Sequence, residues 1–97
     1  MRMTLEWDEA KRLANLAKPG LDFSDAGLVL DSMYRLDIQV VRNGESRTMS
    51  FSYVMNRLAV LTVVHVDRKS LVRIVSFRPA SEIETEAYYE WLAQEDE

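Results

Sequence analysis

The hydrophobic period of the chain changes twice. Between residue 8 and about residue 18, Ala10, Leu13, Ala14 and Ala17 recur at the spacing of one helix face, and Asp8 stands where it can cap the first turn. Lys18-Pro19-Gly20 ends this segment, because proline removes an amide donor and disfavours helix in the residue before it. Ser24 then restarts a helix to about residue 32, with Phe23 placed to pack on Leu28 as a staple. From there the period becomes two. Leu36, Ile38 and Val40 alternate with Asp37 and Gln39, and Asn43-Gly44 marks a hairpin because both residues tolerate positive φ. Met49, Phe51, Tyr53 and Met55 alternate with small polar residues in the second strand. Residues 58–66 are apolar on both faces, as a mid-sheet strand would be, and residues 71–77 are β-rich again. Ser81-x-x-Glu84 has capping-box spacing and opens a last helix whose expected inner face is Ile83, Ala87 and Trp91. With Leu5-Glu6-Trp7 as a short extended lead-in, the pattern predicts an α+β fold in one domain over residues 1–97. It has two N-terminal helices, a four-stranded antiparallel β-meander and a C-terminal helix.

Composition narrows the chemistry. The 97 residues contain no cysteine and one histidine, which excludes a disulfide scaffold, thiol catalysis, Cys-ligated metal sites and an HExxH zinc site. No apolar run approaches the length of a membrane span, and the N-terminus lacks the apolar segment of a secretory signal, so a soluble, cytoplasmic chain is expected. The apolar share, 47%, is more than a small sheet buries by itself, and Trp7 and Trp91 are expected at a partner surface. The net charge of −4 conceals an asymmetry: residues 82–97 hold seven acids and no base, whereas residues 35–78 hold eight bases against three acids. A polyanion responds to such a local field rather than to the total.

Leu5-Glu6-Trp7-Asp8, Lys11, Asn15, Lys18, Gly20, Phe23 and Ala26 resemble the opening of the BrnT family. Val63-Val64-His65, Arg68, Arg73-Ile74-Val75-Ser76-Phe77-Arg78-x-Ala80, Glu84 and Tyr88 resemble its second half, so the likeness spans nearly the whole chain. BrnT proteins are ribonuclease toxins of bacterial type II toxin–antitoxin pairs. The resemblance implies a RelE-like fold, RNA as substrate, inhibition of translation, no cofactor and no membrane association. It also implies neutralisation by a BrnA-like ribbon-helix-helix antitoxin, through which alone operator DNA is contacted. The sequence departs from the family pattern at Pro19, where a histidine is usual, at Pro79, where a base is common, and in the acidic stretch 82–86, where many relatives carry arginines.

Metal-independent RNA cleavage requires cations around the phosphorane-like transition state and groups that move protons to and from the ribose oxygens. Guanidinium suits the first task because it holds two phosphate oxygens at once. Arg47, Arg73 and Arg78, with His65 as acid or base, form the expected catalytic set; Arg42, Arg68, Lys11 and Lys18 are expected to bind RNA, and no metal ligands are expected. In a regular strand Arg73 and Arg78 fall on opposite faces, so both reach one substrate only if the strand bulges or ends before Arg78. The acidic helix is either a solvated face or a screen over the chain's own arginines. The alternative function is a non-catalytic, protein-binding member of the same family.

Overall fold

The computed structural model describes residues 3–95; Asp96 and Glu97, two of the acids counted above, lie outside the described residues. Two tight turns set most of the sheet. Asn43 and Gly44, at φ +54° and +77°, join β2 (Leu36–Arg42) to β3 (Glu45–Val54), and the turn's twist matches that of the strands it joins. Lys69, at φ +56°, lies in the two-residue turn between β4 (Ala59–Arg68) and β5 (Leu71–Pro79). A 3-10 turn over Met55–Arg57 connects β3 to β4. Successive pairs β2–β3, β3–β4 and β4–β5 are antiparallel.

The sheet has a fifth strand. Thr4–Glu6 forms β1, which pairs parallel with β5 in the register Thr4↔Leu71 to Glu6↔Arg73, giving the order β1-β5-β4-β3-β2. This corrects the expected four-stranded antiparallel meander with two N-terminal helices: the sheet is mixed and begins before the first helix. Three residues are too few to show a period, and β1 exists because β5 offers an edge 67 residues away in sequence.

The helical N-terminal half also differs. In α1 (Glu9–Ala17), Asp8 caps the first turn by accepting from the Lys11 amide at 3.2 Å. The row Ala10, Leu13, Ala14 and Ala17 nonetheless faces solvent, with Leu13 53% exposed. Asn15 holds the helix instead. Its Nδ2 donates to the Phe77 carbonyl at 2.7 Å and to the Leu21 carbonyl at 2.8 Å, and its Oδ1 accepts from the Phe77 amide at 3.4 Å. The amide thus pairs a strand residue as a neighbouring strand would, covering β5 beyond the reach of β1. Further on, Asp22 rather than Ser24 caps the restart, accepting from the Ser24 amide at 2.9 Å. A 3-10 turn over Phe23–Asp25 follows, and α2 (Gly27–Leu30) is a single helical turn. Phe23 is buried in the core while Leu28 is exposed, so the expected staple does not form.

These segments cover one face of the sheet, where Phe23, Val29 and Leu30 pack on Leu61, Val63 and Phe77. Fully burying each such side chain contributes about 1.5–3 kcal/mol. The opposite face is covered at one end by α3 (Glu82–Glu95), whose Tyr88 packs with Phe51 and Val60 beside Trp91 and Leu92. The expected Ile83–Ala87 inner row is turned outward, with Ile83 80% exposed. Two anchors set this rotation. The buried Tyr88 hydroxyl donates to the Tyr34 carbonyl at 2.7 Å, and Glu84 is bound to the sheet. Among the described residues, no helix is long and apolar enough to cross a membrane.

Candidate nucleic-acid interface

The half of the second face that α3 leaves open is a hollow of about 310 Å³. Strand alternation builds it: Val40 and Arg42 come from β2, Arg47 and Met49 from β3, Val64 from β4, and Ser76 and Arg78 from β5. Met49 pairs with Val64 and Val64 with Ser76, which makes a row across three strands.

A β-bulge shapes the β5 side. Val64 pairs with Ser76 but His65 pairs with Ile74, so Val75 is an extra residue that also lines the hollow. The bulge resets the alternation and brings Arg73, opposite Val66, onto the same face as Arg78, opposite Thr62. Arg73 still takes no part in the hollow. It lies beside β1 and donates to Glu6 at 3.1 Å.

Two of the three arginines in the hollow are paired. Arg78 holds Glu84 through two bonds of 2.7 and 2.9 Å, and Arg47 holds Glu45 at 2.9 Å. Among the described residues Arg42 makes no ion pair. Glu84 serves two structures at once, since its Oε1 also accepts from the Ser81 amide at 2.8 Å while the Ser81 hydroxyl accepts from the Glu84 amide at 3.1 Å. The guanidinium of Arg78 holds the Glu84 carboxyl down to about 2; partial burial opposes this and the Ser81 amide assists it. The acidic helix therefore neutralises one of the chain's own arginines, Arg78 of β5, through Glu84, the acid that also completes its capping box.

His65 lies on the other face. It is 1% exposed, with Nε2 at 2.7 Å from the Ser50 hydroxyl and Nδ1 at 2.5 Å from Asp67. Ser50 donates to Asp37 at 2.6 Å, and Arg35 holds both oxygens of Asp37 and the Leu30 carbonyl. The two ring nitrogens are thus each placed against a polar partner, Ser50 on β3 and Asp67 on β4. Burial pushes the Asp37 carboxyl up, but the hydrogen bonds from Arg35 and Ser50 outweigh it and hold it below the ordinary carboxylate value. The Asp67–His65–Ser50 connectivity is that of a hydrolase triad, yet Ser50 is fully buried and already committed as a donor. The chain of bonds ties β2, β3, β4 and the end of α2 together.

The expected site residues thus divide. Arg42, Arg47 and Arg78 converge; His65 is buried on the opposite face, and Arg73 turns to Glu6. Arg68, exposed at the β4 end, and Lys11 and Lys18, exposed by α1, do not line the hollow. The sequence reading missed Met49, Ser76 and Val75, the last brought in by the bulge, and Glu45 as an arginine partner; it offered the acidic helix as a screen over the arginines without singling out Glu84. Among the described residues no group of three His, Cys, Asp or Glu side chains is placed to hold a metal ion.

Three guanidiniums thus stand around an apolar floor of Val40, Met49, Val64 and Val75, and guanidinium is the side-chain group that can hold two phosphate oxygens at once. Comparison with family models gives the particular family. The model for the ribonuclease toxin BrnT of type II toxin–antitoxin systems matches residues 7–84, and the chain belongs to this family of ribonuclease toxins, which implies an antitoxin partner. No curated protein matches the chain.

Proposed function

We propose that the protein is an endoribonuclease toxin that cleaves RNA without a metal ion and thereby lowers translation in the bacterial cytoplasm. In this reading a BrnA-like ribbon-helix-helix antitoxin neutralises it and makes any operator DNA contact. The observation that carries the proposal is the convergence of Arg42, Arg47 and Arg78 on one hollow within the segment matched by the family.

In this mechanism a phosphodiester settles among the three guanidiniums, displacing Glu84 from Arg78 and Glu45 from Arg47. The arginines stabilise the charge that develops on the non-bridging oxygens as the 2′-oxygen attacks phosphorus. The released carboxylates are the nearest groups able to take the 2′-hydroxyl proton. The P–O5′ bond breaks, the 5′-oxygen takes a proton from water, and a 2′,3′-cyclic phosphate remains. In this reading His65, behind the sheet, holds β3 against β4 and takes no part in the cleavage step.

One observation favours a second reading, a non-catalytic binding module: two of the three guanidiniums are already neutralised. Purified protein incubated with single-stranded RNA and a chelator separates the two. Cleavage that yields cyclic-phosphate ends, and that falls by about a hundredfold in the Arg47→Ala variant, supports the toxin mechanism. Intact RNA supports the binding module, and cleavage that requires added metal overturns the metal-independent step.

A further inference from the structure

A second hollow lies at the other side of α3. It measures about 370 Å³, is largely apolar, and is enclosed by Tyr34, Tyr53, Tyr88, Tyr89 and Leu92, with the Ser52 hydroxyl donating to Ser32 at 2.6 Å in its wall. Three of its tyrosines, at positions 34, 53 and 89, are more than one-third exposed. Tyr89 also lines an adjoining groove with Thr85, Ala93, Glu86 and Glu90. Glu82, Glu86 and Glu90 are spaced by four along α3, and among the described residues none of the three makes an ion pair, whereas Glu84 holds Arg78.

We propose that this tyrosine hollow and the Glu86–Glu90 ridge form a docking surface for a basic amphipathic helix of a partner protein. An apolar side chain of that helix fills the hollow, and lysines or arginines four residues apart meet the two glutamates. Identifying the partner with the antitoxin rests on the family reading; the surface itself does not.

Charge selects the occupant. Tyrosines also stack on nucleobases, but a row of unpaired carboxylates beside them repels a phosphate backbone. A second copy docking the same surface across a two-fold axis would bring two acidic rows together. A basic helix satisfies both parts of the surface, since exposed aromatics around a hollow are typical anchor sites and the flanking charge sets register and encounter rate. The surface straddles the end of the family match at residue 84: Tyr34 and Tyr53 lie within it, and Tyr89, Glu90 and Ala93 lie beyond it.

The test uses the whole chain, labelled with nitrogen-15, and three probes. The first is a synthetic 16-residue amphipathic helix with lysines flanking a central phenylalanine. The second is the same peptide with glutamates for lysines, and the third is a single-stranded RNA. The lysine peptide is expected to shift the amide resonances of Tyr34, Tyr53 and Tyr89. Its Kd is expected to rise at least about tenfold in the Glu86→Lys/Glu90→Lys and Tyr89→Ala variants, which alter exposed side chains. The glutamate peptide is expected not to bind. Equal binding of both peptides, unchanged affinity in the variants, RNA shifting these same resonances, or concentration-dependent shifts without peptide would each overturn the proposal. RNA cleavage assayed on the same proteins reports separately on the arginine hollow. A chain that cuts no RNA yet binds the peptide here refutes the ribonuclease reading and leaves the docking surface standing.

Discussion

Arg78 and Glu84 couple the open hollow to the helix beside it, and their pairing has a defined pH signature. The Glu84 carboxyl titrates near 2 in the fold against an ordinary 4.5, so the folded state favours the anion. That contribution is complete above about pH 4.5 and is lost as the pH falls from there toward 2. Asp37, also held low, adds in the same direction. The urea midpoint is therefore expected to fall between pH 6 and pH 3, and Glu84→Gln to flatten part of that fall; a parent midpoint unchanged at pH 3 contradicts the pairing. His65 gives a second residue-scale prediction. Glutamine cannot span Ser50 and Asp67 in the ring's geometry, and each buried group left unpaired costs about 1–3 kcal/mol. His65→Gln should lose stability by that order in urea unfolding while the folded fraction keeps its cleavage rate. A rate that collapses with stability unchanged would make His65 catalytic.

Among the elements, α1 shows where a period misleads. Ala10, Leu13, Ala14 and Ala17 have the spacing of a buried face, but Asn15, between them and the sheet, makes the attachment. A side-chain amide pairing a strand edge leaves no periodic trace, although Asn15 was among the residues carrying the family resemblance. Asn15→Ala should cost about 1–2 kcal/mol and raise hydrogen exchange at the Phe77 amide; unaltered exchange there would mean that α1 is held by something else. The Asn43-Gly44 turn and the Ser81–Glu84 capping box were legible because their chemistry is local. The parallel strand β1 and the bulge at Val75 were not, because each is defined only by a partner strand distant in sequence. The same bulge decides how the candidate site reads: without it Arg73 and Arg78 fall on opposite faces, and with it they share one, yet Glu6 draws Arg73 aside.

At the scale of the molecule, one sheet separates two chemistries. One face buries His65 in a closed hydrogen-bond chain, and the other divides at α3 into an arginine hollow and a tyrosine hollow bordered by acids. The net charge of −4 therefore predicts little about RNA, since Arg42, Arg47 and Arg78 line one hollow and Glu86 and Glu90 line another groove. The central claim is that Arg42, Arg47 and Arg78 hold RNA by its phosphates. Its most direct measurement is the salt dependence of single-stranded RNA affinity for the parent and the three single alanine variants. The account predicts a steep log–log slope that becomes shallower by about 0.7 for each arginine that neutralises a phosphate. Equal slopes in parent and variants, or a parent affinity that does not respond to salt, would contradict it.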